Sequence, residues 1–198
     1  MVFRQRELSI KLVLMKIKRN KYIILDRDGT LIEEKNYLHE PNQVSLLPGV
    51  IDGLKKLALE GYKFIVLTNQ SGIGRGYFSE SDMFSVNQRL SSILLAEGIE
   101  ISGFYYCPHK PEDGCRCRKP KPGMVHDACS ELGLTIEDID CVIGDKKSDV
   151  ELADNIGAVS VLVLTGYGRT VYQKDARACF VAEDIDQAAD FIIKNLEM

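Results

Sequence analysis

The sequence predicts an α/β protein whose single domain is built on one doubly wound parallel sheet. Apolar runs of strand length alternate with segments of helical periodicity along the chain, as is typical of a parallel sheet with helices on both faces. The runs are continuously apolar rather than alternating, as expected of strands that are buried on both faces. The 198 residues contain no repeat, low-complexity tract or linker, which favours one domain.

Six strands are predicted, each from a short apolar run. They span residues 22–25, 64–67, 103–106, 141–144, 159–164 and 178–181. The helices between them are indicated by apolar residues at helical spacing, by a capping box at Ser79 and Asp82, and by glycines at helix ends. They span residues 48–60, 79–97, 122–132, 146–155 and 184–196.

The composition limits the expected partners and compartment. A net charge of −4 argues against a nucleic-acid binder, which needs a basic face. No apolar run approaches the ~20 residues of a membrane span, and no signal-peptide cleavage site follows the N-terminal segment. We therefore expect a cytoplasmic monomer that binds neither nucleic acid nor membrane. Residues 1–20 are expected to form an N-terminal extension of unknown role, before a domain at 21–198.

Polar side chains of catalytic type follow three of the predicted strands. Asp26, Thr68 and Asp145 each come directly after an apolar run. In open parallel sheets, ligands bind beyond the carboxyl ends of the strands. We therefore expect these three side chains to lie in one site.

Asp26 and Asp28 lie together at the end of the first predicted strand. A carboxylate there can attack phosphorus and divide one difficult displacement into two steps. A second carboxylate two residues on can donate a proton and later accept one. The alternative is an Asp-Gly turn that leaves Asp28 in solvent. Two carboxylates beside a phosphate need a cation, and Asp145 could complete the oxygen ligands that Mg²⁺ prefers.

Two further segments carry groups that can bind phosphate. Residues 68–71 (Thr-Asn-Gln-Ser) offer a hydroxyl and backbone N–H groups, and Arg118 and Lys119 offer two cations just before a helix. Taken alone, the basic pair is more typical of a solvated loop. Asp149, four residues after Asp145, either orients the site or is an acid favoured by the dipole of its helix.

Together these motifs resemble the haloacid dehalogenase superfamily of phosphatases. The matching motifs, in chain order, are Asp26-Arg-Asp28-Gly-Thr30, Thr68-Asn69, Lys119 and Gly144-Asp145-x-x-x-Asp149. The resemblance implies a Rossmann-like domain with no large cap domain, and a small phosphorylated metabolite as substrate. It also implies that the cofactor Mg²⁺ is bound by Asp26, Asp28 (through its backbone carbonyl) and Asp145.

A second metal site is predicted in the loop at 107–117. Three thiols and an imidazole there form a common ligand set for structural zinc, and they belong to Cys107, His109, Cys115 and Cys117. Because protein would fill all four positions, a Zn²⁺ ion would act structurally and hold the following basic pair over the site. The alternative is a disulfide or unrelated thiols, which a reducing compartment disfavours.

The cysteine motif narrows the resemblance to the subgroup that acts on heptose 1,7-bisphosphate and on histidinol phosphate. The shared segments are Cys-Pro-His, Cys-x-Cys-Arg-Lys-Pro-x-Pro-Gly-Met and Thr-Asn-Gln-Ser-Gly-Ile-x-Arg-Gly. The resemblance implies that Asp26 is the nucleophile, Asp28 the proton donor, and that Thr68 and Lys119 stabilise the phosphoryl group. It also implies a substrate site formed by Glu34, Lys35, Asn36, Tyr37, Thr68, Asn69, Gln70, Ser71, Arg118, Lys119 and Lys146.

The resemblance implies hydrolysis of the 7-phosphate of D-glycero-D-manno-heptose 1,7-bisphosphate through an aspartyl phosphate. The product, heptose 1-phosphate, would serve lipopolysaccharide or nucleotide-heptose synthesis. Histidinol phosphate is the alternative substrate, because the same motifs serve both. A third hypothesis, a non-catalytic zinc-stapled interaction module, predicts the loss of catalytic residues; Asp26, Asp28, Lys119 and Asp145 are all present.

Overall fold

The architecture was determined from a computed structural model, which describes residues 20–175 and 177–196. Its six strands are β1 (Lys21–Leu25), β2 (Tyr62–Asn69), β3 (Ile101–Cys107), β4 (Ile139–Gly144), β5 (Val159–Val163) and β6 (Phe180–Ala182). They form one parallel sheet in the order β3-β2-β1-β4-β5-β6. This confirms the predicted α/β class and the doubly wound parallel sheet.

Helices connect the strands. They are α1 (Val50–Leu59), α2 (Ser71–Gly74), α3 (Glu80–Ala96), α4 (Gly123–Leu132), α5 (Lys147–Ile156), α6 (Gly168–Asp175) and α7 (Ile185–Leu196). Short 3-10 helices lie at Pro41–Gln43, Pro111–Asp113 and Ile136–Asp138. In the described part of the chain, no connection forms a separate cap domain, as predicted.

Two helices were not predicted from the sequence, for different reasons. Helix α2 has four residues, which is too short to show an apolar period. Helix α6 has a mostly polar sequence, so it offers too few apolar residues to show a helical period. The sixth strand lies at Phe180–Ala182 rather than at 178–181. The predicted extension at 1–20 falls, apart from Asn20, outside the described residues.

The central strand β1 divides two hydrophobic layers. Ile23 and Leu25 pack into the layer covered by α1, α3 and α7, while Tyr22 and Ile24 pack into the layer covered by α4 and α5. All four side chains are buried. A fully buried side chain of this kind stabilises the fold by about 1.5–3 kcal/mol. The position of the residue that follows β1 is therefore fixed by strand packing on both faces.

The strand order determines where the polar residues at the strand ends meet. Strand β1 lies between β2 and β4, and Leu25 is in register with Val66 and Ile143. The chain winds towards β3 on one side of β1 and towards β6 on the other, so the order reverses between β1 and β4. Ligands bind at such a switch point, beyond the carboxyl ends of the strands.

A search of the described ranges for membrane-spanning segments found no helix with the length and apolar character needed to cross a bilayer.

Candidate active site

The loop after β1 holds its shape through the backbone of Arg27. Its carbonyl accepts hydrogen bonds from the N–H groups of Leu31 at 2.9 Å and Ile32 at 3.1 Å. Gly29 has a φ of +88°, and a side chain there would overlap the Asp145 carboxyl. Only glycine fits both the left-handed backbone and this close approach. The tight loop after β1 can therefore lie directly against the Asp145 carboxyl at the end of β4.

Asp26 is buried at the base of this loop. Its backbone N–H donates to Ile143 O at 2.9 Å, which continues the pairing of β1 with β4. Its Oδ1 lies 2.8 Å from Lys119 Nζ and its Oδ2 lies 3.4 Å from Lys146 Nζ. Burial opposes the charged form of Asp26, but the two ammonium groups outweigh burial and lower its pKa well below the usual range. Asp26 is therefore a carboxylate.

Lys119 is surrounded by three acceptors deep in the site. Its ammonium group donates to Asp26 Oδ1 at 2.8 Å and to Leu67 O at 2.6 Å, and it lies 2.7 Å from Asp149 Oδ1. Burial would lower the pKa of Lys119, but Asp149 and Asp26 raise it above its ordinary value. The Asn69 side-chain amide makes two hydrogen bonds to the Lys119 backbone. Its Oδ1 accepts from the Lys119 N–H at 3.1 Å, and its Nδ2 donates to the Lys119 carbonyl at 3.3 Å.

Asp149 is both an acid in the first turn of its helix and a residue that orients the site, the two alternatives that the sequence left open. It is the N3 residue of α5, where its Oδ2 accepts from the Lys146 N–H at 3.1 Å in a capping box. Its Oδ1 is the second counter-ion of Lys119. The same carboxylate begins the helix and orients the cation.

The Asp28 carboxylate lies at the pocket wall, beside the end of β2. Its Oδ2 accepts from Gln70 Nε2 at 2.8 Å and from Thr68 Oγ1 at 3.4 Å. On the other side, the Arg27 guanidinium contacts both oxygens. The alternative of an Asp-Gly turn with Asp28 in solvent is therefore not the arrangement found.

A cation position is defined at the edge of the site by oxygen atoms from three segments. Lys146 Nζ lies 2.8 Å from Asp28 O, 3.1 Å from Asp145 Oδ1 and 3.4 Å from Asp26 Oδ2. These three groups are the ones implied as Mg²⁺ ligands, and here they surround an ammonium group. The donor set of two carboxylates and a carbonyl suits a hard divalent cation. These residues therefore fit the metal.

The site contains more carboxylate groups than positively charged side chains. Carboxylate oxygens of Asp26, Asp145 and Asp149 lie within 4.8 Å of one another and could hold a metal ion. Burial, together with the carboxylates of Asp26 and Asp149, raises the pKa of Asp145 to about 7, although the Lys146 ammonium group acts to lower it. A divalent cation would relieve this repulsion when bound.

The pocket above Asp26 brings together nine of the eleven residues implied for substrate binding. Those nine are Glu34, Asn36, Tyr37, Thr68, Asn69, Gln70, Ser71, Lys119 and Lys146. Lys35 does not line it, because its Nζ donates to Gln43 O at 2.7 Å. Arg118 does not line it either, and its Nη1 donates to His109 O at 3.4 Å.

Four lining residues were not found from the sequence. They are Leu38, Gly72, Ser148 and Tyr167. Tyr167 donates its backbone N–H to Asp145 Oδ2 at 2.8 Å, and its ring lies 5.4 Å from Lys146 Nζ. It lies in the loop after β5, where no motif marks it. The one usable signal was its position beyond a strand end.

One wall of the pocket has an unusual backbone. Asn36 and Tyr37 both have left-handed φ values, 46° and 71°, which non-glycine residues seldom adopt. The Asn36 N–H donates to Glu34 Oε1 at 3.0 Å, and the Tyr37 ring packs edge-on against Tyr77 at 4.8 Å. Backbone strain of this kind persists where surrounding contacts fix it, and it is concentrated at ligand sites.

The predicted cysteine cluster is assembled beside this pocket. The three Sγ···Sγ distances among Cys107, Cys115 and Cys117 are 3.3 to 3.5 Å, and His109 Nδ1 lies 3.3 Å from Cys117 Sγ. Zinc–sulfur bonds of about 2.3 Å in a tetrahedron would place the sulfurs about 3.8 Å apart. All four residues could hold a metal ion such as zinc.

Hydrogen bonds join the cluster to the side of the pocket that follows β2. The Gln70 N–H donates to Cys107 O at 2.8 Å, and the Gly74 N–H donates to Pro108 O at 2.9 Å. Cys117 lies two residues before Lys119. Order in the cluster is therefore transmitted to both sides of the pocket.

Comparison with known proteins identifies the family. The chain is 41% identical over 156 residues to a D-glycero-beta-D-manno-heptose-1,7-bisphosphate 7-phosphatase of Haemophilus influenzae, covering 74% of this chain and 83% of that one. It is 37% identical over 155 residues to the Pseudomonas putida protein of the same name, covering 78% and 88%. The chain belongs to this heptose-bisphosphate phosphatase family. Residues 116–188 also match a HAD-hydrolase-like family model.

A solved member of the heptose-bisphosphate phosphatase family has the same fold. It is the D,D-heptose 1,7-bisphosphate phosphatase of B. bronchiseptica, whose structure contains magnesium and phosphate. The TM-score is 0.79 at 30% identity, covering 88% of this chain and 98% of that one. The chain is thus a phosphatase of the haloacid dehalogenase superfamily, whose phosphatases use Mg²⁺.

A pair of glycine substitutions tests the close approach of the β1 loop to Asp145. Gly29 and Gly61 have φ values of +88° and +83°, but no atom lies within 4 Å of a side chain added at Gly61. We expect both Gly29→Ala and Gly61→Ala to lose about 1–2 kcal/mol of unfolding free energy from the left-handed backbone. Gly29→Ala alone should also displace Asp145 and lower phosphatase kcat at least about tenfold.

The measurements are urea unfolding and release of inorganic phosphate for the two variants. Equal activity of Gly29→Ala and Gly61→Ala would show that the Asp145 position does not depend on the missing side chain.

Proposed function

We propose that the chain removes the 7-phosphate of D-glycero-D-manno-heptose 1,7-bisphosphate through a phosphoryl group carried on Asp26. The observation that supports this most strongly is the ionised Asp26 carboxylate, fixed by Lys119 at 2.8 Å below a pocket that also holds Asp28 and Thr68. The names and identities of the relatives support the substrate.

In the first step, Asp26 attacks phosphorus while the bond from phosphorus to the sugar oxygen breaks. Asp28 donates its proton to that leaving oxygen. The Lys119 ammonium and the Thr68 hydroxyl face the space where phosphoryl oxygens would lie, so they can stabilise the negative charge. The site is then left with a phosphorylated Asp26 and an Asp28 carboxylate.

In the second step, the Asp28 carboxylate takes a proton from water as the water oxygen attacks phosphorus. The bond between phosphorus and the Asp26 oxygen breaks, so inorganic phosphate leaves and both aspartates return to their first state. Mg²⁺, held by Asp26, the Asp28 carbonyl and Asp145, would offset the charge of the phosphoryl group when bound.

The sugar is assigned to the wall formed by Glu34, Asn36 and Tyr37. Their carboxylate, amide and phenol groups are suited to the hydroxyl groups of a heptose. Lys146 contacts this wall, with Nζ 3.4 Å from Glu34 Oε2. Arg118 and Lys35, which lie outside the pocket lining, would contact substrate only after their side chains reorient. We also propose that the protein acts as a monomer, since all these groups come from one chain.

A substrate comparison tests the proposed function. We expect kcat/KM with Mg²⁺ to be at least about tenfold higher for one anomer of heptose 1,7-bisphosphate than for histidinol phosphate, a difference of about 1.4 kcal/mol in transition-state binding. The assay is phosphate release from both anomers and from histidinol phosphate. A preference for histidinol phosphate would contradict the substrate assignment while leaving the phosphatase chemistry intact.

We further propose that zinc occupies the cluster of Cys107, His109, Cys115 and Cys117. The supporting observation is that four ligand atoms of the preferred type approach one point at nearly tetrahedral spacing. The ion would hold the end of β3 against the segment that carries Lys119. It would have no open position for substrate, so its contribution would be to order.

Two cysteine substitutions test the zinc proposal. Cys115→Ser removes a ligand, whereas Cys179→Ser changes an exposed thiol outside the cluster. All three purified proteins are dialysed against a chelator, and their zinc content is then measured by elemental analysis. We expect wild type and Cys179→Ser to contain equal zinc, and Cys115→Ser to contain much less. Equal zinc in all three proteins would refute Cys115 as a ligand.

A further inference from the structure

A fully buried guanidinium group lies directly behind the proposed proton donor. The Arg27 side chain has no exposed surface. Its Nε donates to Asp28 Oδ2 at 3.0 Å and its Nη2 donates to Asp28 Oδ1 at 3.1 Å, which is a two-pronged contact. Removing a charge from water costs several kcal/mol, and apolar residues of similar volume often stabilise such a position as well. A buried guanidinium group at this position therefore indicates a role in orienting its partner rather than in stabilising the fold.

The guanidinium is anchored on its far side by helix α3. Arg27 Nη1 donates to Asn87 Oδ1 at 2.8 Å, and Asn87 is itself buried. Asn87 Nδ2 in turn lies 3.0 Å from Met83 Sδ, one turn earlier on the helix. Arg27 therefore spans the gap between α3 and Asp28, and the helix fixes the direction of the planar guanidinium group.

The two oxygens of Asp28 have different surroundings. Oδ2 accepts from Arg27 Nε, from Gln70 Nε2 at 2.8 Å and from Thr68 Oγ1 at 3.4 Å. Within the described residues, Arg27 Nη2 is the one hydrogen-bond donor to Oδ1. Because the acceptor positions of Oδ2 are occupied, a proton on Asp28 has room at Oδ1. The contacts thus fix the plane of the carboxyl group and leave Oδ1 as its less occupied oxygen.

We propose that Arg27 is a positioning residue, anchored by Asn87, that orients Asp28 to protonate the leaving oxygen. This rests on the proposed role of Asp28 as proton donor. Neither Arg27 nor Asn87 lines the pocket, so neither would contact substrate. Their effect should fall on the two proton transfers of Asp28, to the departing sugar oxygen and from the attacking water, and not on substrate binding.

Asn87→Leu is the principal test, because it keeps the side-chain size and removes the acceptor for Arg27. Two substrates are compared: an alkyl phosphate, whose leaving oxygen needs a proton, and 4-nitrophenyl phosphate, whose leaving group departs as an anion. We expect kcat/KM for the alkyl phosphate, which reports the steps up to departure of the leaving oxygen, to fall at least about tenfold, within the range that general acid catalysis supplies. We expect kcat/KM for 4-nitrophenyl phosphate to change less than about twofold, because its leaving group needs no proton.

Three further variants complete the design. Gln88→Leu, an exposed neighbour on α3, controls for the new side chain and should leave both substrates unchanged. Asn87→Asp keeps an acceptor oxygen for Arg27 and should restore most of the alkyl phosphate rate. Arg27→Met, checked for folding by thermal unfolding, should show the same selective loss as Asn87→Leu, and a larger one.

An equal loss of kcat/KM for both substrates in Asn87→Leu, or no loss, would overturn the positioning role. The outcome does not depend on which sugar is the natural substrate. If wild type prefers a phosphate other than heptose bisphosphate, the substrate proposal fails, and the same ratio is measured with that preferred alkyl phosphate.

Discussion

The candidate site depends on one buried ammonium group, that of Lys119. It lies between Asp26 and Asp149, and without it two carboxylates would be buried at the end of the sheet with far less compensating charge. Removing one partner from such a buried ion pair typically costs about 3–5 kcal/mol. The contact that stabilises this corner of the fold also acts, together with Lys146, to keep Asp26 ionised, so fold stability and the charge of Asp26 both depend on this ammonium group.

Lys119 is itself held by elements on both sides of the site. The Asn69 amide at the end of β2 fixes its backbone, and the cysteine cluster ends two residues before it. Helix α5 supplies Asp149 through its first turn. The strand order places these elements around β1, because β2 and β4 are its two neighbours. Long-range topology therefore sets the position of the cation, and local hydrogen bonds set its direction.

The residues that the sequence could locate are those at strand ends. Continuous apolar runs mark buried strands, and parallel strands bring their ends to one edge, so the sequence alone groups Asp26, Thr68 and Asp145. The Cys/His cluster was also visible, because its ligand types lie within eleven residues at 107–117. The α/β class followed from the alternation of strands and helices along the chain.

Other features could not be found because they depend on side-chain direction. Lys35 turns towards Gln43 rather than into the pocket, and its Nζ donates to the Gln43 carbonyl. Arg27, an arginine in a loop, has the sequence signature of an exposed residue and is nevertheless fully buried, since α3 supplies its partner from sixty residues away. Such tertiary pairs leave no local pattern.

Formation of a phosphoryl group on Asp26 is the central chemical claim, and acid quench during turnover tests it most directly. The variant Asp28→Asn with 4-nitrophenyl phosphate is suited to this, because the first step needs no proton donor and the second loses its base. We expect a burst of nitrophenol and phosphate recovered by mass spectrometry on the peptide that contains Asp26. Turnover with no burst and no phosphorylated peptide, or phosphate on another residue, would contradict covalent catalysis by Asp26.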